Sequence, residues 1–91
     1  MDNSSSIVKI IDKKRCEVTG VKKLEAFDEK QFYFETILGY AEIKGKKMAL
    51  VNLDSTNGVL LIDGIIDSFS YVQKKGESLW NKLFKGFTLY I

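Results

Sequence analysis

From Ile7 onward, apolar and polar positions alternate with a period of two over short stretches. Val8 and Ile10 flank Lys9, Phe32 and Phe34 flank Tyr33, and Ala41 and Ile43 flank Glu42. Successive side chains of a strand point to opposite faces, so each stretch predicts a half-buried strand. Two later runs, 48–53 and 59–62, are apolar at nearly every position and predict central strands buried on both faces. Turn chemistry separates the runs at Thr19-Gly20, Phe27-Asp28-Glu29-Lys30, Leu38-Gly39, Lys44-Gly45-Lys46, Asn57-Gly58 and Asp63-Gly64. Asn57-Gly58 suits a type I′ turn, because both residues tolerate positive φ, and it predicts a hairpin between the two most apolar runs. The pattern as a whole predicts a mainly β domain over residues 7–73. Its six to seven short strands would form an antiparallel sandwich, roll or small barrel.

The pattern changes after Val72. Leu79, Trp80, Leu83, Phe84 and Phe87 recur at helical spacing, with Ser78, Asn81, Lys82 and Lys85 on the opposite side, and Gly86 suits the residue that ends a helix. Residues 74–91 therefore read as a basic amphipathic segment with a short C-terminal helix, although 87–91 could instead form a last strand. Nine helical residues span only about 14 Å, enough to lie on a surface and too short to cross a bilayer. Residues 1–6 are small and polar and read as a disordered leader.

Composition supports a folded chain: 45% hydrophobic against 29% charged residues is a globular balance, and 91 residues suffice for one domain. The formal charge of +2 is unevenly placed. Residues 1–71 carry ten Lys/Arg against eleven Asp/Glu, whereas 72–91 carry Lys74, Lys75, Lys82 and Lys85 against Glu77. A single cysteine, Cys16, allows no intrachain disulfide and fits a reducing compartment. The N-terminal residues lack the basic and apolar regions of a secretory signal, and no apolar run approaches the roughly 20 residues of a membrane span.

Histidine is absent, which excludes Ser-His-Asp and Cys-His arrangements in this chain. Cys16 reads as a small buried hydrophobe. Asp54, Asp63 and Asp67 read as solvated turn residues, since the loop lacks the alternating ligands and closing Glu of a calcium site. The glycines form no phosphate-binding spacing. Glu35 and Glu42 among the aromatics around Phe32 would repel nucleic-acid phosphate. These residues predict a non-enzymatic interaction module with no cofactor, no metal and no nucleic acid. The alternative is a small ligand- or nucleic-acid-binding β domain. The candidate interaction residues are Lys74, Lys75, Leu79, Trp80, Lys82, Leu83, Phe84, Lys85 and Phe87. Three occupants fit their apolar side: the domain's own sheet, a protein partner or second copy of the chain, or an anionic membrane surface.

An ordered set of short motifs resembles the YabP/YqfC family. It begins at Glu17-Val18-Thr19-Gly20-Val21-Lys22-Lys23-Leu24-Glu25-Ala26-Phe27-Asp28 and continues through Glu35-Thr36, Gly39 and Ile43-Lys44-Gly45. Asn52-Leu53-Asp54, Gly58 and Ile62-Asp63-Gly64-Ile65-Ile66-Asp67-Ser68-Phe69-Ser70-Tyr71 complete it, so that it covers roughly residues 15–72. The aromatic, lysine-containing tail is closer to the YabP branch. The resemblance implies a structural or adaptor protein of bacterial endospore formation, acting through protein–protein contacts at or near the forespore envelope. It further implies a YabQ-like integral membrane sporulation protein as partner, and a cytoplasmic place in the mother cell with peripheral contact at the outer forespore membrane. A homo-oligomer is also open to the chain, because no proline blocks its sheet edges from pairing between copies; lysines at 9, 44, 46 and 47 are the alternative block.

Overall fold

The structure is a computed structural model that describes residues 5–74 together with the backbone of residues 88–89. The described residues form seven strands: β1 (Val8–Ile11), β2 (Arg15–Val18), β3 (Val21–Phe27), β4 (Gln31–Thr36), β5 (Gly39–Asp54), β6 (Val59–Val72) and β7 (Thr88–Leu89). All pairings are antiparallel, in one sheet of order β1-β2-β6-β5-β4-β3-β7. The expected mainly β class is present. The expected C-terminal helix falls on residues outside those described.

β5 and β6, of 16 and 14 residues, form one long hairpin that serves two half-sheets. Near its turn, β6 pairs with β2 from Arg15↔Asp63 to Val18↔Leu60. At its far end, β5 pairs with β4 from Gln31↔Lys44 to Thr36↔Gly39. The sheet folds over so that the inner faces of its halves meet. Cys16, Val18, Leu60 and Ile62 from one half join Leu24, Phe32, Phe34, Ala41 and Ile43 from the other in a single buried cluster. Among the forms the sequence allowed, this is a roll: one open sheet packed against itself.

The fold-over occurs at Gly45 and Gly64, where the sequence predicts turns. The chain does not reverse there; each strand bends and continues, with register shifts between Lys44 and Gly45 and between Lys46 and Ala49. Gly64 has φ +144°, and a Cβ on it would lie 2.6 Å from Met48 Cα. Turns on either side supply the hydrogen bonds that the bend takes out of the ladder. Gly45 and Met48 donate N–H groups to the carbonyls of Lys30 and Glu29 in the β3–β4 turn, both at 2.9 Å. Gly64 and Ile66 donate to Lys14 and Lys13 in the β1–β2 turn, at 3.0 and 2.7 Å. Backbone donors leaving a ladder are costly when buried, so these turns hold the bend in place.

Two further expectations change. The runs 48–53 and 59–62 do occupy central strands, yet only their inner positions are buried; Val51 is 47% exposed. Asn57-Gly58 does not form a two-residue turn, because Asn57 lacks positive φ and the loop spans 55–58. Asp54 Oδ1 accepts the N–H groups of Thr56 and Asn57, each at 3.1 Å, and Asn57 Nδ2 donates to Oδ2 at 2.8 Å. The positive-φ pair sits instead at Asp12 (52°) and Lys13 (56°), with Lys14 N–H donating to the Ile11 carbonyl at 2.9 Å, the pattern of a type I′ turn.

Candidate interaction surfaces

Of the nine interaction residues singled out in the sequence, Lys74 is described and exposed; the others, from Lys75 to Phe87, lie outside the described residues. The described part offers two surfaces that the periodicity did not rank.

The first is the outer edge at β1. Thr19 N–H donates to the Ile7 carbonyl at 2.9 Å, and Ile7 N–H donates to Thr19 Oγ1 at 2.9 Å. Antiparallel alternation then turns the backbone groups of Lys9 and Ile11 toward β2 and those of Val8 and Ile10 outward. The outward groups have no strand partner among the described residues. Exposed apolar side chains accompany them on both faces of the strand. Ile10, opposite Cys16, lies on the core side and is 42% exposed; Ile11, opposite Arg15, lies on the other side and is 40% exposed. Ile7 is 56% exposed. Apolar groups on both faces of one edge strand suit an added strand, which would cover both.

Ion pairs fix the neighbouring corner. Arg15 donates from Nε to Asp63 Oδ1 at 2.7 Å and from Nη2 to Oδ2 at 3.0 Å, and Lys13 Nζ lies 3.8 Å from Asp67 Oδ1. Asp63 is thus a strand residue in a bidentate pair, not a turn residue. The guanidinium hydrogen bonds hold its carboxyl below the usual range; burial opposes them, and the Arg15 charge adds a smaller lowering. Asp54 is also held low, first by the Asn57 side chain and then by backbone N–H groups. Cys16 is fully buried, and burial, reinforced by the Glu17 charge, pushes its thiol up to about 11. That agrees with the expectation of an apolar filler, since the thiolate is the reactive form.

The second surface is the outer face of the far half-sheet. Here Tyr33 pairs with Ala26 on one side and Glu42 on the other, and Tyr33 and Ala26 are both fully buried. Tyr40 stacks on Tyr33 with ring centroids 5.6 Å apart, and Val72 packs beside them. Glu25 and Glu42 on this face are only 6% and 8% exposed, with Lys23 and Lys44 ammonium groups at 3.3 and 3.5 Å. Period-two alternation assigned Tyr33 to the solvent side, so its burial had no local signal.

Other arrangements offer less. A groove of about 170 Å³ beside Gly20 and Gly58 is lined by Val21, Lys22, Ile37 and the 55–57 loop. It falls below the roughly 300–1,000 Å³ of small-molecule pockets. No group of three His, Cys, Asp or Glu side chains able to hold a metal occurs among the described residues. No helix among them is long and apolar enough to cross a membrane.

The sequence model described as the YabP family matches residues 2–78, a range that takes in every strand from β1 to β6. The chain is also similar to the spore protein YabP of Bacillus subtilis (strain 168), at 31% identity over 77 residues, covering 80% of this chain and 77% of that protein. With a family match over most of the chain and a relative at 31% identity across 80% of it, the chain belongs to the YabP family.

Proposed function

We propose that this chain is a non-enzymatic adaptor of bacterial endospore formation that binds a partner by strand addition at β1. Membership in a family with a spore protein among its members supports the sporulation role. The observation that carries the mode of binding is the outward row of Val8 and Ile10 backbone groups, flanked by exposed isoleucines on both faces. The partner is an integral membrane sporulation protein of the YabQ kind implied by the family resemblance, and the adaptor works from the mother-cell cytoplasm beside the outer forespore membrane. Lys74, Lys75, Lys82 and Lys85 add attraction to anionic lipid there.

Capture from detergent-solubilised membranes of sporulating cells tests this reading. Ile10→Pro removes an outward N–H and leaves the bonds to β2 intact, so it blocks an added strand without breaking the sheet. The wild-type chain is expected to retain an integral membrane protein, and Ile10→Pro, folded by circular dichroism, to lose at least about tenfold of that capture, or roughly 1.4 kcal/mol. Equal capture by both would overturn strand addition at β1. Separately, the double change Lys82→Glu with Lys85→Glu is expected to weaken sedimentation with anionic vesicles and leave β1-dependent capture unchanged.

A further inference from the structure

The edge at β1 carries a pattern that is its own complement. Ile7-Val8-Lys9-Ile10-Ile11 reads alike in both directions, with two apolar residues on each side of one lysine. Val8 and Ile10 lie on the core side, opposite Val18 and Cys16, while Lys9 and Ile11 lie on the other, opposite Glu17 and Arg15. Ile7, Ile10 and Ile11 are all exposed. We infer that this strand pairs antiparallel with β1 of a second copy, about a two-fold axis at Lys9, and that the second copy holds the edge until a partner strand displaces it. The displacement rests on the adaptor reading; the pairing itself rests on the edge alone.

Backbone geometry admits few registers. Within the strand the groups of Val8 and Ile10 point outward, so a symmetric pair must bring outward residues together. An axis at Val8 sets Ile10 and Ile11 against Ser6 and Ser5. An axis at Ile10 sets Val8 against Asp12, which has left the strand with φ 52°. With the axis at Lys9, Val8 of each copy meets Ile10 of the other in a hydrogen-bonded pair, and Ile7 meets Ile11 at both ends. Apolar side chains then cover one another on both faces of the joined sheet, the self-complementarity that a two-fold contact requires.

Two longer free stretches among the described residues are less suited. β6 runs on past β2, and β5 runs on past β4. Each stretch carries an extra residue, Asp67 in β6 and Val51 in β5, where the register between the two strands shifts. Such bulges twist an edge out of line for pairing, whereas β1 keeps register with β2 from Val8↔Val18 to Ile11↔Arg15. Lys9 is the cost of the arrangement, since its ammonium group faces that of the second copy, offset in part by Glu17 on β2. A contact of one short strand a side also buries well under the roughly 1,600 Å² of a standard interface, so the pair is weak and open to displacement.

Cross-linking of the purified full-length chain reads the register. Facing residues of a non-hydrogen-bonded pair have Cα atoms about 4.5 Å apart, within disulfide range. Lys9→Cys, folded by circular dichroism, is therefore expected to form a covalent dimer under mild oxidation several-fold faster than Val8→Cys, Ile10→Cys or Ile11→Cys. Equal rates, or a faster rate at Val8→Cys or Ile10→Cys, would overturn the axis at Lys9. Sedimentation needs no added cysteine: the wild-type dimer fraction should rise with salt, which screens the facing ammonium groups, and Lys9→Thr should dimerise several-fold more tightly with a weaker salt response. Chains that stay monomeric in both forms would overturn the pairing. The oxidised Lys9→Cys dimer should lose capture of the membrane protein and regain it on reduction, and equal capture by the two forms would overturn the displacement. Capture by a chain that never dimerises would remove the second copy and leave the adaptor reading standing, whereas a cross-linked dimer with no capture in any form would do the reverse.

Discussion

Asp63 shows how one residue changes meaning once the sheet closes. Beside Gly64 it looks like turn chemistry, yet its partner is Arg15, 48 positions earlier, in a two-point contact. Because its carboxyl is held below the ordinary value, the contact contributes stability at pH values above the unfolded-state pKa and loses it as pH falls through the lower folded-state one. Asp63→Asn should therefore lower the unfolding midpoint at neutral pH and have a shrinking effect below about pH 4, measured as urea midpoints across the acid range. Burial gives larger effects. Ile62 is fully buried between Cys16 and Leu50 in the paired strands, and Ile62→Ala should cost about 2–5 kcal/mol by urea denaturation, the loss of a packed side chain plus the cavity left behind.

At the scale of elements, the bent hairpin decides the architecture. Gly64 occupies a φ of +144°, open to few residues with a Cβ, and such a Cβ would press on the backbone at Met48 and Lys47. Gly64→Ala should lower stability by about 2–3 kcal/mol without changing the urea m-value, since the same surface unfolds. The sequence marked this glycine and Gly45 as punctuation without distinguishing a reversal from a bend. The distinction lies in the carbonyls of residues 13–14 and 29–30, which satisfy the bent strands from far along the chain. The alternation around Phe32 and Phe34 was legible because each position reports its own face. The burial of Tyr33 was not, since alternation places it on the face opposite Phe32 and Phe34 and carries no signal of what that face meets. Likewise, Ile10 was readable as a strand residue, whereas its place on an outer edge follows from β2 pairing with β6, a choice no local window contains. Asn57-Gly58 misled for a nearer reason: Asp54 caps a four-residue loop and removes the need for positive φ at Asn57.

For the molecule as a whole, the pairings that close the roll join distant stretches, with β2 waiting for β6 to be made before it has a neighbour on its inner side. Loop closure on that scale precedes the contacts that reward it, so refolding is expected in the millisecond-to-second range seen for non-local β topologies. The chain holds no proline, and stopped-flow circular dichroism should show no later phase of tens of seconds such as prolyl isomerisation gives. The buried position of Cys16 has a practical corollary for handling such a molecule. Two intact copies present no thiol to each other, so a covalent dimer on a non-reducing gel can arise only from chains that have opened. The rate at which that band grows under mild oxidation is a running count of opening events, and it should rise in Gly64→Ala and fall with any agent that steadies the fold.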